Sequence, residues 1–184
     1  MNSVISSYKI VHRGAKGMSL GIALAGALLF GSAAQAKDEL KAVQSMLSLS
    51  LDAARLAANT ALLACQKKGA LVAVAVVDRS GVPLVMLRDA LAGMHTPEAA
   101  TRKAWTSVSF KTSSGEMAKA TAYNQASSGV RGVPGVAMIA GGLVIQAAGS
   151  IIGGIGVSGA PSGELDDECA KAGIAAIQDA IDLN

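Results

Sequence analysis

The stretch Gly135–Ala160, GVAMIAGGLVIQAAGSIIGGIGVSGA, constrains the fold of this chain more than any other: twenty-six residues without a charge, in which apolar and partly β-branched runs are separated only by turn residues. Val136–Ala140, Leu143–Ala147 and Ile151–Ser158 each have strand length, and the joints Gly141-Gly142 and Ala148-Gly149-Ser150 are too short for a crossover helix. Strands joined that tightly pair antiparallel. The reading is a three-stranded meander, and because it carries no charge, at least one of its faces must be covered by the helical patterns on either side of it.

Those patterns lie in both directions. Leu40, Val43, Leu47, Leu51, Ala54, Ala58, Ala61 and Cys65 recur at steps of three and four and predict a helix ending at Lys67-Lys68-Gly69, basic residues before a glycine stop. Leu71–Val77 and Pro83–Arg88 flank the turn Asp78-Arg79-Ser80-Gly81 and read as a hairpin. Thr96 followed by Pro97 and Glu98 is expected to cap a helix running to Phe110, and Ser113-Ser114-Gly115-Glu116 has capping-box spacing for a short helix to about Ala122. Ser127–Pro134 reads as a loop, and Leu165–Leu183 as a last helix with Glu164, Asp166, Asp167 and Glu168 at its positive end. The expected fold is α+β: a five-stranded antiparallel sheet (hairpin plus three-stranded meander) with N- and C-terminal helices and a central helical pair packed on it.

Residues 1–17 carry Lys9, His12, Arg13 and Lys16 and no acid, Met18–Phe30 is apolar, and Ala34-Gln35-Ala36 fits a small-x-small cleavage site. This pattern predicts a secretory signal peptide over residues 1–36, leaving a single domain over 37–184 in the periplasm or secreted. A membrane span needs ~20 apolar residues, more than this run offers, so no stable anchor is expected after cleavage. The formal excess of +3 rests on Lys9, Arg13 and Lys16, so the remainder is balanced. With Trp105, Phe110 and Tyr123 as its only aromatics it has no basic-aromatic surface for nucleic acid. An uncharged meander in a small, strongly apolar domain also predicts an even-numbered homo-oligomer larger than a dimer.

Several chemistries find little support. Gly154-Ile155-Gly156-Val157-Ser158-Gly159 satisfies G-x-G-x-x-G, but it follows a hairpin strand instead of opening a βαβ unit, so the glycines read as sites of close packing and a strand exit. Cys65 and Cys169 fall on apolar helix stripes, where they either form a disulfide in an oxidising compartment or serve as small core hydrophobes, and neither has a close partner for zinc. No nucleophile-base-acid set is visible. His95, the only histidine after the predicted signal, lies in the polar segment Arg88–Pro97 between a strand end and a helix start, a place that suits a ligand as well as an ordinary loop histidine. Arg88, Arg102 and Lys103 are candidate carboxylate partners, although solvated helix charge explains them equally, and Thr106 stands one turn along the helix.

Taken in order, Val76-Val77-Asp78-Arg79-Ser80-Gly81, Leu87-Arg88-Asp89, Gly93-Met94-His95-Thr96, Arg102-Lys103-Ala104-Trp105-Thr106, Ala140-Gly141-Gly142, Gly153–Ala160 and Leu165-Asp166 resemble the GlcG/HbpS-like haem-binding family, which includes the C-terminal domain of PduO-type proteins. The resemblance implies a five-stranded antiparallel sheet with helices on it, homo-oligomers up to octamers and, for some members, haem or iron binding in sensing, storage or degradation. Carried onto this chain, it makes haem the expected cofactor, with Arg88, His95, Arg102, Lys103 and Thr106 as binding residues and His95 or Thr106 nearest iron. The alternative it implies is an enzyme or binding protein for a small carboxylate or cofactor linked to glycolate or diol utilisation. Arg88 and Lys103 would then be the anion clamp, and Asp78 or Asp89 the acid or base. Where members commonly show a Met-Pro-Thr-Ser-Glu-Leu-like segment after the central helix, this chain has Thr112-Ser113-Ser114-Gly115-Glu116-Met117.

Overall fold

In the computed structural model, which describes residues 42–183, the uncharged stretch contributes two strands rather than three. The sheet contains β1 (Ala73–Asp78), β2 (Pro83–Arg88), β3 (Gly142–Ala147) and β4 (Ser150–Ser158), in the order β2-β1-β4-β3, with every neighbouring pair antiparallel. The expected fifth strand, Val136–Ala140, is irregular because its backbone groups find side chains instead of a ladder. Ala137 N–H donates to Thr106 Oγ1 at 2.8 Å, Ser114 Oγ donates to the Ile139 carbonyl at 2.6 Å, and Gly141 N–H donates to Asp167 Oδ1 at 2.7 Å. Gly141 then turns the chain into β3 at φ +118°, where a Cβ would stand 2.5 Å from the Val157 carbonyl oxygen. The predicted signal over residues 1–36 lies outside the described residues.

Two helical layers cover the sheet. On one face lie α1 (Leu51–Lys67), α4 (Gly163–Ala175) and α5 (Gln178–Asp182), whose Ala54, Ala57, Ala58, Ala61, Cys169, Ala170 and Ile181 pack with Val72, Val74, Val76, Ile145, Ile155 and Val157. Gly173 admits this closeness, since a Cβ there would lie 2.5 Å from the Ala57 carbonyl oxygen. A disulfide between Cys65 and Cys169, Cα atoms 5.5 Å apart, joins α1 to α4 and decides the question the sequence left open. On the other face α2 (Thr96–Phe110) sets Ala100, Ala104 and Val108 against Ala73, Ala75 and Val77. The glycines of the G-x-G-x-x-G pattern are its seat: a Cβ on Gly156 would come within 2.0 Å of the Ala100 carbonyl oxygen, and one on Gly154 within 2.6 Å of Val108 Cγ2.

Helix ends depart from expectation in three places. The N-terminal helix starts at Leu51, not near Leu40, because Ser50, extended at ψ 155°, accepts the Ala53 N–H at Oγ and the Leu49 N–H donates to Ile152 of β4; the chain before it forms no helix and leaves Val43 and Leu47 exposed. Thr96 is inside α2 rather than its cap; its hydroxyl donates back to the Gly93 carbonyl, and His95 takes the cap position without a side-chain bond. The final helix breaks at Ile177, which together with Ile181 turns into the core. The capping box, by contrast, forms as read: Ser113 Oγ accepts the Glu116 N–H and opens α3 (Ser114–Ala120).

Candidate functional site

At the C-terminal end of β4 the chain leaves the sheet through Gly159 and enters α4, while α2 begins across from it. Between them lies a cleft of about 380 Å³, lined by Gly93, His95, Thr96, Ala99 and Lys103 on one side and by Ser158–Gly163, Asp166 and Ile139 on the other. His95 stands exposed at its mouth, with its ring over Gly93, where a Cβ would lie 2.7 Å from Cε1. The wall is held by a buried ion pair. Lys103, 2 % exposed, donates from Nζ to Asp166 Oδ2 at 2.7 Å and to the Val157 carbonyl at 2.9 Å, and Asp166 Oδ1 accepts the Ala160 N–H at 3.1 Å. Burial pushes the Asp166 carboxyl above its ordinary value, and the adjacent ammonium opposes that shift.

Of the residues singled out in the sequence, His95 and Lys103 meet at this cleft, and the other three do not line it. Arg88, exposed at the end of β2, donates to the Ala92 carbonyl and so closes the 89–95 loop upon itself. Arg102 pairs with Glu98 at 2.5 Å on the exposed surface of α2. Thr106 is fully buried and accepts the Ala137 N–H, which fixes the irregular segment that carries Ile139. Neither acid proposed for an enzyme lines the cleft: Asp78 accepts the Ser80 and Val82 N–H groups in the hairpin turn, and Asp89 accepts from Gln66 Nε2.

Residues 49–175 match the family described as haem degrading protein HbpS-like. The chain belongs to the HbpS-like family. Its fold is similar to the crystal structure of HbpS, at 43% identity and a TM-score of 0.70 over 74% of this chain and 94% of HbpS. A double mutant of HbpS from Streptomyces reticuli is 38% identical, with a TM-score of 0.69 over 88% of this chain and 99% of that one. The crystal structure of a PduOC–haem complex is 31% identical, with a TM-score of 0.67 over 71% of this chain and 96% of that one. Among curated proteins, corrinoid adenosyltransferase PduO of Citrobacter freundii is 32% identical over 133 residues; these make up 71% of this chain but 39% of that protein's length.

In this HbpS-like chain, sequence reasoning missed Asp166 and Ser158. Asp166 reads as one of several helix-start acids, and only the fold shows that Lys103, sixty-three positions away, buries it. Ser158 looks like one more small residue in a glycine-rich strand exit. The available signal was register: counting by twos from Gly154 and Gly156 puts Ser158 on the α2 face, opposite Ala73.

Proposed function

We propose that this chain is an exported haem-binding module, acting in the periplasm or outside the cell as an even-numbered homo-oligomer. The observation that carries the reading is the exposed imidazole of His95 at the mouth of a cleft, in a family one of whose solved structures is a haem complex. The residues fit the group. An imidazole is a common haem-iron ligand, and Ala99, Ile139, Ala160 and Pro161 offer apolar wall to a macrocycle. The cleft lies near the lower end of the roughly 300–1,000 Å³ typical of small-molecule sites, so a porphyrin would leave one edge outside. Leu91 (83 % exposed) and Met94 (94 % exposed) belong to the loop that carries His95 and suit cover by a second copy of the chain.

Bound iron would supply the redox chemistry; the chain's part is to hold and orient it. In this reading His95 meets the metal and Lys103 presents the third N–H of its ammonium to the cleft. Arg102 exchanges a weak surface pair with Glu98 for a propionate, and Arg88 keeps the His95 loop closed. Thr106 acts through Ile139 and does not itself touch iron. Titrating the protein with haemin at micromolar concentration tests the reading: a saturable Soret shift is expected, altered in His95→Ala. The absence of any shift would overturn it, and an unchanged His95→Ala spectrum would remove the imidazole as ligand. Light scattering tests the assembly, which a single-chain mass across the concentration range would refute.

A further inference from the structure

Ser158 is 7 % exposed, lines the cleft, and its hydroxyl has no partner among the described residues. Among the described residues every side-chain oxygen sealed from solvent has a partner, so this hydroxyl keeps access to solvent, and its residue lines the cleft. A nearly buried hydroxyl that has no protein partner and opens on a cleft is free to donate to whatever enters it. Across the same space α4 begins. Ser162 Oγ caps it by accepting the Leu165 N–H, and the N–H of Gly163, also in the lining, has no acceptor within the helix. A thirteen-residue helix places its positive end here. The charged side chains lining the cleft are Lys103 and Asp166, which neutralise each other; Glu164, at the same helix start but outside the lining, has its carboxyl held below the ordinary value by its own N–H and by Ser162, and it is the negative group an incoming anion would meet there.

We propose that the inner end of the cleft is a carboxylate-binding subsite, with Ser158 Oγ–H and the Gly163 N–H as donors and the α4 dipole behind them. The ligand chemistry is a single aliphatic carboxylate. It comes either from a porphyrin propionate, in which case the subsite rests on the haem reading and orients the ring, or from a free small acid, in which case it does not.

The test uses the full chain and two probes. Sodium propionate, followed by ¹H–¹⁵N spectra, is expected to give saturable shifts centred on Ser158, Ala160 and Gly163, while propionamide, which lacks the charge, leaves them unmoved. Ser158→Ala, which keeps the fold and loses the hydroxyl, should weaken propionate by about tenfold, the usual scale for a hydrogen bond to a charged group. Gly163→Pro removes the N–H at a position where helices accept proline, after a Ser162 already extended at ψ 155°, and should abolish the shifts; Gly163→Ala brings the same Cβ, 2.9 Å from Ala140 Cβ, but retains the N–H, so it carries the shared steric cost and should keep the shifts. Haemin and its dimethyl ester separate the sources: if the subsite holds a propionate, Ser158→Ala weakens haemin and leaves the ester unchanged. Propionate shifts without haemin binding would retire the haem reading and leave a small-acid site. Haemin binding insensitive to Ser158→Ala, together with equal responses to propionate and propionamide, would overturn the subsite and leave the haem reading standing.

Discussion

Gly156→Ala is the most direct probe of how this fold is held. The added Cβ would lie 2.0 Å from the Ala100 carbonyl oxygen and 2.7 Å from the Ala104 nitrogen, both backbone atoms of α2. No rotamer change relieves a clash with backbone, so helix and sheet must separate by about 1.4 Å for the nearest atom to reach ordinary contact near 3.4 Å. That separation loosens Ala100, Ala104 and Val108 from Ala73, Ala75 and Val77. Overpacking of this kind costs about 1–3 kcal/mol and sometimes more, and the loss of unfolded-state freedom on replacing glycine returns about 0.4–1 kcal/mol. A net loss of about 1–2 kcal/mol follows, or roughly 2–8 °C in Tm for a domain of this size. Urea unfolding should show it as a lower midpoint at unchanged slope. Gly129→Ala, where a Cβ meets nothing within 4 Å, is the control and should stay within about 0.5 kcal/mol of the parent. If Gly156→Ala behaves like Gly129→Ala, the glycine seat is not what fixes α2 on the sheet.

Three further outcomes follow from the structure. Lys103→Met and Asp166→Leu, made singly, each strand a buried charge and should cost about 3–5 kcal/mol, whereas the double variant should be more stable than either; additive losses in the double-mutant cycle would deny the coupling. Replacing Cys65 and Cys169 together by Ala opens a crosslink between residues 104 apart and should lower stability by about 2–5 kcal/mol, and thiol labelling of the unfolded, unreduced parent should find neither of them reactive. Acid titration should resolve two opposite slopes. Burial raises the Asp166 carboxyl above 3.8, so between that value and its folded one the native state keeps a proton the unfolded state has lost, and stability falls as pH rises; Asp166→Asn removes this fall. The Lys68 ammonium holds Glu168 below 4.5, so its contribution is present above that value and fades as pH drops through the lowered one, a small effect on an exposed carboxylate that Glu168→Gln abolishes. Identical midpoint-versus-pH curves for parent and both variants would contradict both assignments.

What was legible in the sequence was what local chemistry decides. The hairpin was readable because Asp78 supplies its own turn, accepting the N–H groups of Ser80 and Val82, and α3 because Ser113 caps Glu116 three residues on. What was not legible depends on partners far along the chain. Val136–Ala140 has strand length and strand composition, yet Thr106, Ser114 and Asp167, each twenty-five or more positions from the group it bonds, satisfy the backbone from Ala137 to Gly141 and remove the reason to join the sheet. The cysteines lay on two apolar stripes whose facing could not be known before α1 and α4 were packed across Gly173. In the site, His95 stood out by rarity, whereas Ser158 and Asp166 acquire meaning only from burial.

The cleft is a consequence of how α2 is seated. Along the α2 face of β4 the same-side positions are Gly154, Gly156 and Ser158, and the first two let helix backbone approach to a distance that a side chain forbids. At Ser158 that permission ends, and there α2 gives way to the 89–95 loop while Gly159, at φ +130°, turns β4 away toward α4. Two helix starts therefore converge on the space left beyond the glycines, one bearing His95 and the other Gly163. Converging positive ends need a fixed spacing, and Lys103 to Asp166 is the one ion pair among the described residues that joins α2 to α4. A well-packed apolar replacement of that pair would preserve the core but would lose the directional link, so the double variant should stay folded while its haemin affinity falls. Wild-type affinity in that variant would mean that the glycine seat alone sets the width of the cleft.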